Sequence, residues 1–179
     1  MIMDTDAKVG AGNNSGGVGR IVPCLWFDNT AEDAAKFYVS LFHDAAIEQV
    51  RYYSEEVASL SGRKAGSVLV VSFRLPGMRL LAMNAGPTFK LTPAVSLMIN
   101  CDTQEQVDFY WDHLCEGGTP MECGWVTDKF GLSWQVNWSR FEELVQANTV
   151  AGDRMMVALL KMKKVNIAAL QEAYDRDAG

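Results

Sequence analysis

The feature that most constrains the fold is an internal repeat. The same order of predicted elements, a strand, a helix and then further strands, occurs twice between residues 20 and 138. Direct alignment of the two copies places together Leu25 and Leu97, Asp28 and Asn100, and Phe37-Tyr38 and Phe109-Tyr110. Agreement in element order as well as spacing indicates a duplication. The sequence therefore predicts two similar units, about 20–86 and 95–138.

Each unit is predicted to be βαβββ. In the first, IVPCLWF is a β-prone run, and Thr30 is an N-cap for an amphipathic helix reaching about His43. The strand AIEQVRYYS, the polar loop SEEVASLSGRKAG and two strands joined by a tight turn at Pro76-Gly77 follow.

In the second unit, VSLMINC is a strand, and Thr103 with Gln106 forms a capping box that opens a helix. Gly117-Gly118 ends that helix, TPMECGWVTD is an irregular strand and loop, and FGLSWQVNW alternates into the last strand. Asp128 and Lys129 are predicted to cap the hairpin turn as an exposed pair.

The two units are flanked by segments of different character. Residues 139–179 form a C-terminal helical extension, with helices predicted at 154–162 and 166–174. Residues 1–19 are rich in Gly, Asn and Ser and lack a contiguous apolar run, so they predict a flexible tail rather than a signal peptide.

Composition narrows the range of partners and compartments. The net charge of −6 argues against nucleic acid and anionic membranes as partners and favours a small neutral or cationic ligand. No apolar run approaches the roughly 20 residues of a membrane-spanning helix. The 4 cysteines show no C-x-x-C spacing, so reduced thiols without a zinc site are expected. We therefore expect a cytoplasmic protein.

Several longer segments carry a family resemblance. They are PCLWFDNTAEDAAKFYVSLF, AMNAGPTFKLT, SLMINCDTQEQVDFYWDHLCEGG, CGWVTDKFGLSWQV and MKKVNIAALQEAY, and the block from Cys123 to Gln135 is the most specific. The sequence resembles the PhnB-like branch of the vicinal-oxygen-chelate superfamily, which contains glyoxalase I, bleomycin-resistance proteins and extradiol dioxygenases. The resemblance implies an α+β fold, with two βαβββ modules forming a cupped mixed sheet plus C-terminal helices. It also implies a homodimer.

Metal-dependent members of that superfamily hold a divalent ion with His, Gln or Glu from the first and last strand of each module. Counting from the aromatic pairs puts the first-strand positions at Pro23 and Val95, and neither can ligate a metal. The last-strand positions fall near Leu81 or Met83 and at Gln135, which leaves one usable donor. We therefore predict no metal site and no cofactor.

Members of the branch often carry the name 3-demethylubiquinone-9 3-methyltransferase, which implies a methyl donor. A nucleotide-type methyltransferase is expected to have a glycine-rich turn between a strand and a helix, followed by an acidic residue at the next strand end. No such arrangement follows a predicted strand here.

The predicted cleft contains aromatic and polar residues instead. Aromatic walls with a few convergent polar groups are typical of a small-molecule pocket. The candidate ligand-binding residues are Trp26, Asn84, Lys90, Trp125, Trp134 and Gln135. No catalytic residue can be assigned, because Cys123 has no histidine near it in sequence to activate it.

Three functions remain open at this point. The first is metal-independent binding of a small apolar or aromatic molecule, as bleomycin-resistance relatives bind by sequestration. The second is a lyase, isomerase or dioxygenase with a degenerate or displaced metal site. The third is the methyltransferase that the family name implies.

Overall fold

The computed structural model describes residues 21–147 and 150–176, so the tail predicted at 1–19 lies outside the described residues. Within these ranges the strands divide equally between two four-stranded sheets. The first sheet contains β1 (Cys24–Phe27), β2 (Ala46–Tyr52), β3 (Val68–Leu75) and β4 (Met78–Asn84). The second contains β5 (Ser96–Cys101), β6 (Thr119–Pro120), β7 (Trp125–Thr127) and β8 (Ser133–Trp138).

Both sheets have the same topology. Their orders are β1-β4-β3-β2 and β5-β8-β7-β6, with the first pair in each order parallel and the other pairs antiparallel. Six helices accompany them: α1 (Ala31–Leu41), α2 (Glu55–Ser61), α3 (Gln104–Cys115), α4 (Phe141–Gln146), α5 (Val150–Leu159) and α6 (Ile167–Asp175). The predicted α+β fold with two βαβββ units and C-terminal helices is confirmed.

Two helices were not predicted. The polar loop after β2 contains α2, whose N-cap Ser54 accepts a hydrogen bond from the Val57 N–H and whose C-cap Gly62 has φ 69°. Helix α4 lies within the predicted helical extension but before its first predicted helix, and α5 begins at Val150 rather than Arg154. Both new helices have seven residues or fewer, too short for a clear apolar period.

The alternation along each strand gives each sheet a helix face and an open face. On β1, Leu25 and Phe27 are buried beneath α1, whereas Trp26 points the other way and pairs with Met83 of β4. In the second sheet, Met98 and Gln135 occupy the corresponding positions on the open face.

The helix faces of the two units share one core. Tyr38 of α1 packs edge-on against Trp134 of β8, with ring centroids 5.4 Å apart, and Phe42 stacks on Tyr110 of α3 at 5.1 Å. No hydrogen-bonded strand pair joins the two sheets within the described part of the chain. The eight strands of one chain therefore form two mixed sheets of four that are held together by aromatic packing.

The structure corrects one detail of the repeat. Thr30 and Thr103 are the N-caps of α1 and α3, so the second unit has one more residue between the aligned strands and the helix. Tyr38 is thus equivalent to Trp111, which is buried against its own sheet as Tyr38 is, and not to Tyr110. The cause is the longer β5, which continues to Cys101 before the chain turns.

The C-terminal extension is attached to the second unit by backbone hydrogen bonds. Cys123 and Gly124 donate their N–H groups to the carbonyls of Met162 and Lys163, both at 2.7 Å. Gln104 of α3 donates from Nε2 to the Val165 carbonyl at 3.0 Å and accepts from the Ile167 N–H at 2.9 Å. The extension is therefore an integral part of this unit. No helix among the described residues has the length and apolarity needed to cross a bilayer.

Candidate small-molecule pockets

A cavity of about 530 Å³ lies where the two units meet, and we call it the junction pocket. Its size falls in the range of roughly 300–1,000 Å³ that is usual for small-ligand sites. The first unit contributes the end of α1 and the β3–β4 turn, and the second contributes β5, α3 and β8. Side chains that line it include Phe42, Leu75, Met78, Ser96, Met98, Asn100, Gln106, Tyr110 and Trp134.

Three aromatic rings form one wall of the junction pocket. Phe42 and Tyr110 are stacked with an interplanar angle of 27°, and Trp134 lies 6.5 Å from Phe42 between ring centroids. Trp134 is only 1% exposed, and its indole Nε1 donates to Asp128 Oδ2 at 2.8 Å. Because the Trp134 indole is packed and hydrogen-bonded, this part of the wall is rigid.

The polar part of the junction pocket is uncharged except for Asp102. Ser96 accepts a hydrogen bond at 2.8 Å from Nε2 of Gln135, the neighbouring open-face residue. Gln106 accepts from the Asp102 N–H at 2.7 Å, one residue earlier than in the predicted capping box, while Thr103 caps the Gln106 N–H as expected. Strand β5 is at the end of its sheet, so its outer edge has no strand partner in the described chain.

Asp128 lies behind the aromatic wall and fixes it in place. The carboxylate is 4% exposed, and its Oδ1 accepts from the N–H groups of Phe130 and Leu132 at 2.8 and 3.1 Å. Burial raises the pKa of Asp128, and its hydrogen bonds oppose that shift in part. The prediction of an exposed Asp128–Lys129 pair is wrong: Asp128 does hold the turn, but it turns inward, and the Lys129 ammonium lies 4.3 Å from the Phe37 ring centroid.

Tyr38 joins this buried group from the first unit. Its hydroxyl is buried beside the Asp128 carboxylate but has no well-aligned hydrogen bond. Burial, reinforced by the charge of Asp128, raises the pKa of Tyr38 well above its usual value. Tyr38 therefore remains a neutral phenol that contacts both units.

A second cavity, of about 380 Å³, lies between the end of β1, residues 87–91 and the β7–β8 turn; we call it the loop pocket. Trp26, Phe89, Lys90 and Phe130 line it. The Trp26 indole donates to the Gly86 carbonyl at 2.8 Å and packs edge-on against Phe89, with centroids 4.9 Å apart.

The six candidate ligand-binding residues are thus placed in three different environments. Trp134 lines the junction pocket, Gln135 reaches it through Ser96, and Trp125 is the cross-strand neighbour of Gln135. Trp26 and Lys90 line the loop pocket.

Asn84 lines neither pocket, because its amide is bonded to the backbone on both sides. Its Oδ1 accepts from the Ala31 N–H at 2.8 Å, and its Nδ2 donates to the Val68 carbonyl at 3.1 Å. Asn84 therefore caps the start of α1 and links it to β3.

Sequence reasoning missed Phe42 and Tyr110 as pocket residues. Tyr110 belongs to the repeated Phe-Tyr pair, and Phe42 continues the apolar stripe of α1, so both were assigned to helix packing alone. Their distinguishing property is that each lies on the side of its helix that faces the other unit. A pattern within one helix does not reveal that direction.

The groups that the superfamily and the family name imply do not fit the residues present. The central open-face positions are Trp26 and Met83 in one unit and Met98 and Gln135 in the other, a donor set unsuited to a divalent cation. No three His, Cys, Asp or Glu side chains come together in ranges 21–147 and 150–176. The connections before α1 and α3 contain no glycine, so neither resembles the phosphate-binding turn of a nucleotide-type methyl-donor site.

The fold and its pockets define a class: α+β proteins built from paired βαβββ units, with a small-molecule-sized cavity between the units. The profile of the 3-demethylubiquinone-9 3-methyltransferase family matches residues 19–137. The chain belongs to this family, whose members include PhnB-like proteins.

Solved structures agree with this assignment. A Bacillus cereus PhnB protein, described as a candidate 3-demethylubiquinone-9 3-methyltransferase, is 31% identical with a TM-score of 0.59, and the match covers 66% of this chain and 98% of that one. A Pseudomonas aeruginosa protein is 22% identical with a TM-score of 0.56 over 68% of this chain and 98% of its own, and shows the same fold. No curated protein matches the chain.

Proposed function

We propose that this protein binds a small, neutral, largely apolar or aromatic molecule in the junction pocket without the help of a metal ion. The observation that supports this most directly is the composition of the pocket. Stacked Phe42 and Tyr110 with Trp134 form an aromatic wall, and methionines and uncharged amides belong to the same lining. Such a lining matches a ring system that carries one or two hydrogen-bonding groups.

The wall and the polar groups have separate roles in this proposal. The ligand's ring packs against Tyr110, where aromatic contacts add to the gain from burying apolar surface. The side chains of Asn100 and Ser96 supply hydrogen bonds at the β5 edge. Asp102 is the one ionised group in the lining, so an anionic ligand is disfavoured there.

The resemblance to bleomycin-resistance proteins supports binding by sequestration. Membership of the glyoxalase-like superfamily is a further part of this proposal. We also propose that the protein is a homodimer and acts in the cytoplasm. Met78 and Met98 are 40% and 48% exposed beside the junction pocket. A second copy that covered them would remove exposed apolar surface from water.

A binding experiment with matched variants tests the proposal. Acetanilide, a neutral aromatic amide, is titrated while tryptophan fluorescence is followed, because Trp134 lies in the pocket wall. We expect saturable binding that is lost in Met98→Arg and retained in Val95→Arg, because Met98 lines the pocket whereas Val95, 71% exposed, does not.

A chelator separates this proposal from a metal-dependent activity. If acetanilide binding is unchanged in ethylenediaminetetraacetate, no metal ion is needed, as expected from the poor metal ligands on the open faces of the sheets. Binding that disappears with the chelator and returns with a divalent metal would contradict metal independence. Equal affinity of Met98→Arg and Val95→Arg would contradict the location.

A further inference from the structure

The loop pocket differs from the junction pocket in its charge. Lys90 lines it and makes no ion pair or hydrogen bond within the described ranges. Asp28, the acidic residue in the lining, already has a partner: its Oδ1 lies 3.5 Å from Arg63 Nη1, and its carbonyl accepts from Arg63 Nη2 at 2.7 Å. The Lys90 ammonium is therefore the uncompensated charge of this cavity.

The surroundings add to this positive charge. The Lys129 ammonium lies 5.6 Å from the ring centroid of Phe130, on the wall of the same cavity. The Asp28 carboxylate is paired with Arg63, so it does not offset the charge of Lys90. The chain as a whole carries a net charge of −6, so this locally cationic site contrasts with the rest of the molecule.

The walls of the loop pocket are aromatic and held in place. Trp26 is fixed by its hydrogen bond to Gly86, and the Gly86 N–H donates in turn to the Asp28 carbonyl at 3.3 Å. Phe89 packs on Trp26 yet is 63% exposed, so one face of its ring is available for contact. An exposed ring beside a fixed indole provides a surface on which an aromatic ligand can stack.

From these observations we propose that the loop pocket is a second binding site, selective for a small aromatic carboxylate. The ring of the ligand packs between Phe89 and Phe130, and its carboxylate pairs with the Lys90 ammonium. A single cation at the edge of an aromatic cavity matches one carboxylate on a flat ring. The two pockets then select differently, because Asp102 disfavours anions in the junction pocket and Lys90 attracts them here.

The probe for this site is 1-naphthoate, with 1-naphthamide as its uncharged counterpart, both measured by isothermal titration calorimetry. In the Met98→Arg variant, whose junction pocket is blocked, 1-naphthoate should bind more tightly than 1-naphthamide. Lys90→Met keeps the aliphatic stem but removes the charge, and we expect it to weaken 1-naphthoate binding by about fivefold, as for a partly exposed ion pair. It should leave 1-naphthamide unchanged.

One control variant and two further measurements test the specificity of this site. Lys161→Met removes an exposed lysine in the turn after α5, which does not line the loop pocket, and should leave 1-naphthoate binding unchanged. In the Met98→Arg background, Phe89→Ala should weaken both probes because the stacking surface of the loop pocket is lost. Added sodium chloride should weaken 1-naphthoate binding and spare 1-naphthamide.

Different measurements test the second site and the proposed function: 1-naphthoate binding tests the loop pocket, and acetanilide binding tests the junction pocket. If Met98→Arg abolishes 1-naphthoate binding while Lys90→Met does not change it, the anion occupies the junction pocket and no second site exists. Equal affinity of the Met98→Arg variant for 1-naphthoate and 1-naphthamide would also refute it. Acetanilide binding at the junction pocket should be unaffected by Lys90→Met in either case.

Discussion

Replacing Asp128 with alanine should destabilise the protein strongly, because this carboxylate is the acceptor for several buried donors. The Leu132 N–H and the Trp134 indole N–H are both buried and would lose their partner. An unsatisfied buried donor costs about 1–3 kcal/mol, so the pair costs about 2–6 kcal/mol. The Phe130 N–H is only partly buried and can donate to water instead.

Urea denaturation followed by far-ultraviolet circular dichroism measures the change without relying on Trp134 as the reporter. A loss of about 2–6 kcal/mol is a large share of the roughly 5–15 kcal/mol that stabilises a typical domain, so the midpoint should fall clearly. Asp128→Asn should lie between wild type and Asp128→Ala, because it keeps Oδ1 but turns a donor toward the indole N–H.

Asp112→Ala is the matched control for this prediction. Its carboxylate is 68% exposed and lies 3.1 Å from Lys164 Nζ, which also pairs with Asp108 at 2.8 Å. Removing such an exposed, redundant pair should change the free energy of unfolding by less than about 0.5 kcal/mol. If Asp128→Ala lowers the free energy of unfolding by no more than Asp112→Ala does, the buried carboxylate does not stabilise the hairpin and this prediction is refuted.

Further predictions concern pH, capping, thiol reactivity and packing. Burial raises the pKa of Asp128 above its value in the unfolded chain, so the folded state takes up the proton first as pH falls. The free energy of unfolding of wild type, measured relative to Asp128→Asn by urea denaturation, should therefore rise as pH falls from neutral through the folded pKa. If this relative free energy falls instead, the hydrogen bonds to Asp128 outweigh its burial. Asn84→Ala should lower the free energy of unfolding by about 1–3 kcal/mol, since the start of α1 and β3 each lose a hydrogen bond, and a denaturation midpoint equal to that of wild type would contradict this capping role. Burial raises the pKa of Cys101 to about 12, so a thiol reagent followed by mass spectrometry should label exposed Cys24 and spare Cys101 in the native protein. Equal labelling of the two thiols would show that the core around Cys101 is open to the reagent. Gly118→Ala should reduce the yield of folded protein, because an added Cβ would lie 2.5 Å from two backbone carbonyl oxygens, and a normal thermal melt would disprove that crowding.

The repeat was predictable because it depends on spacing along the chain, and the two sheets confirm its element order. The alignment of the two helices could not be predicted in the same way. The pair Phe109-Tyr110 resembles Phe37-Tyr38 in sequence, but in the structure it is shifted by one residue relative to that pair. The strand lengths cause that shift, and the end of β5 at Cys101 depends on pairing with Trp138, far away in sequence.

The arrangement of the candidate site residues could not be predicted from the sequence. Trp26 and Trp134 line two different cavities, and the predicted amides Asn84 and Gln135 line neither of them. Asn84 illustrates the limit: a polar residue at a strand end can bind a ligand or cap a helix, and only the position of Ala31 decides between them. Asp128 looked like an exposed turn residue because its partners, Tyr38 and Trp134, meet only after both units have folded.

The attachment of the C-terminal extension has a consequence for synthesis on the ribosome. The first unit has all its strands once Asn84 has emerged, and N-terminal regions generally fold first. The second unit must wait, because the N–H groups of Cys123 and Gly124 find their acceptors only when Met162 and Lys163 have been made. A ribosome that pauses after Trp138 would therefore hold a nascent chain in which the N–H groups of Cys123 and Gly124 still lack these acceptors and are available to the wrong neighbour. The speed of translation through α4 and α5 should thus influence how much of this protein reaches its native form.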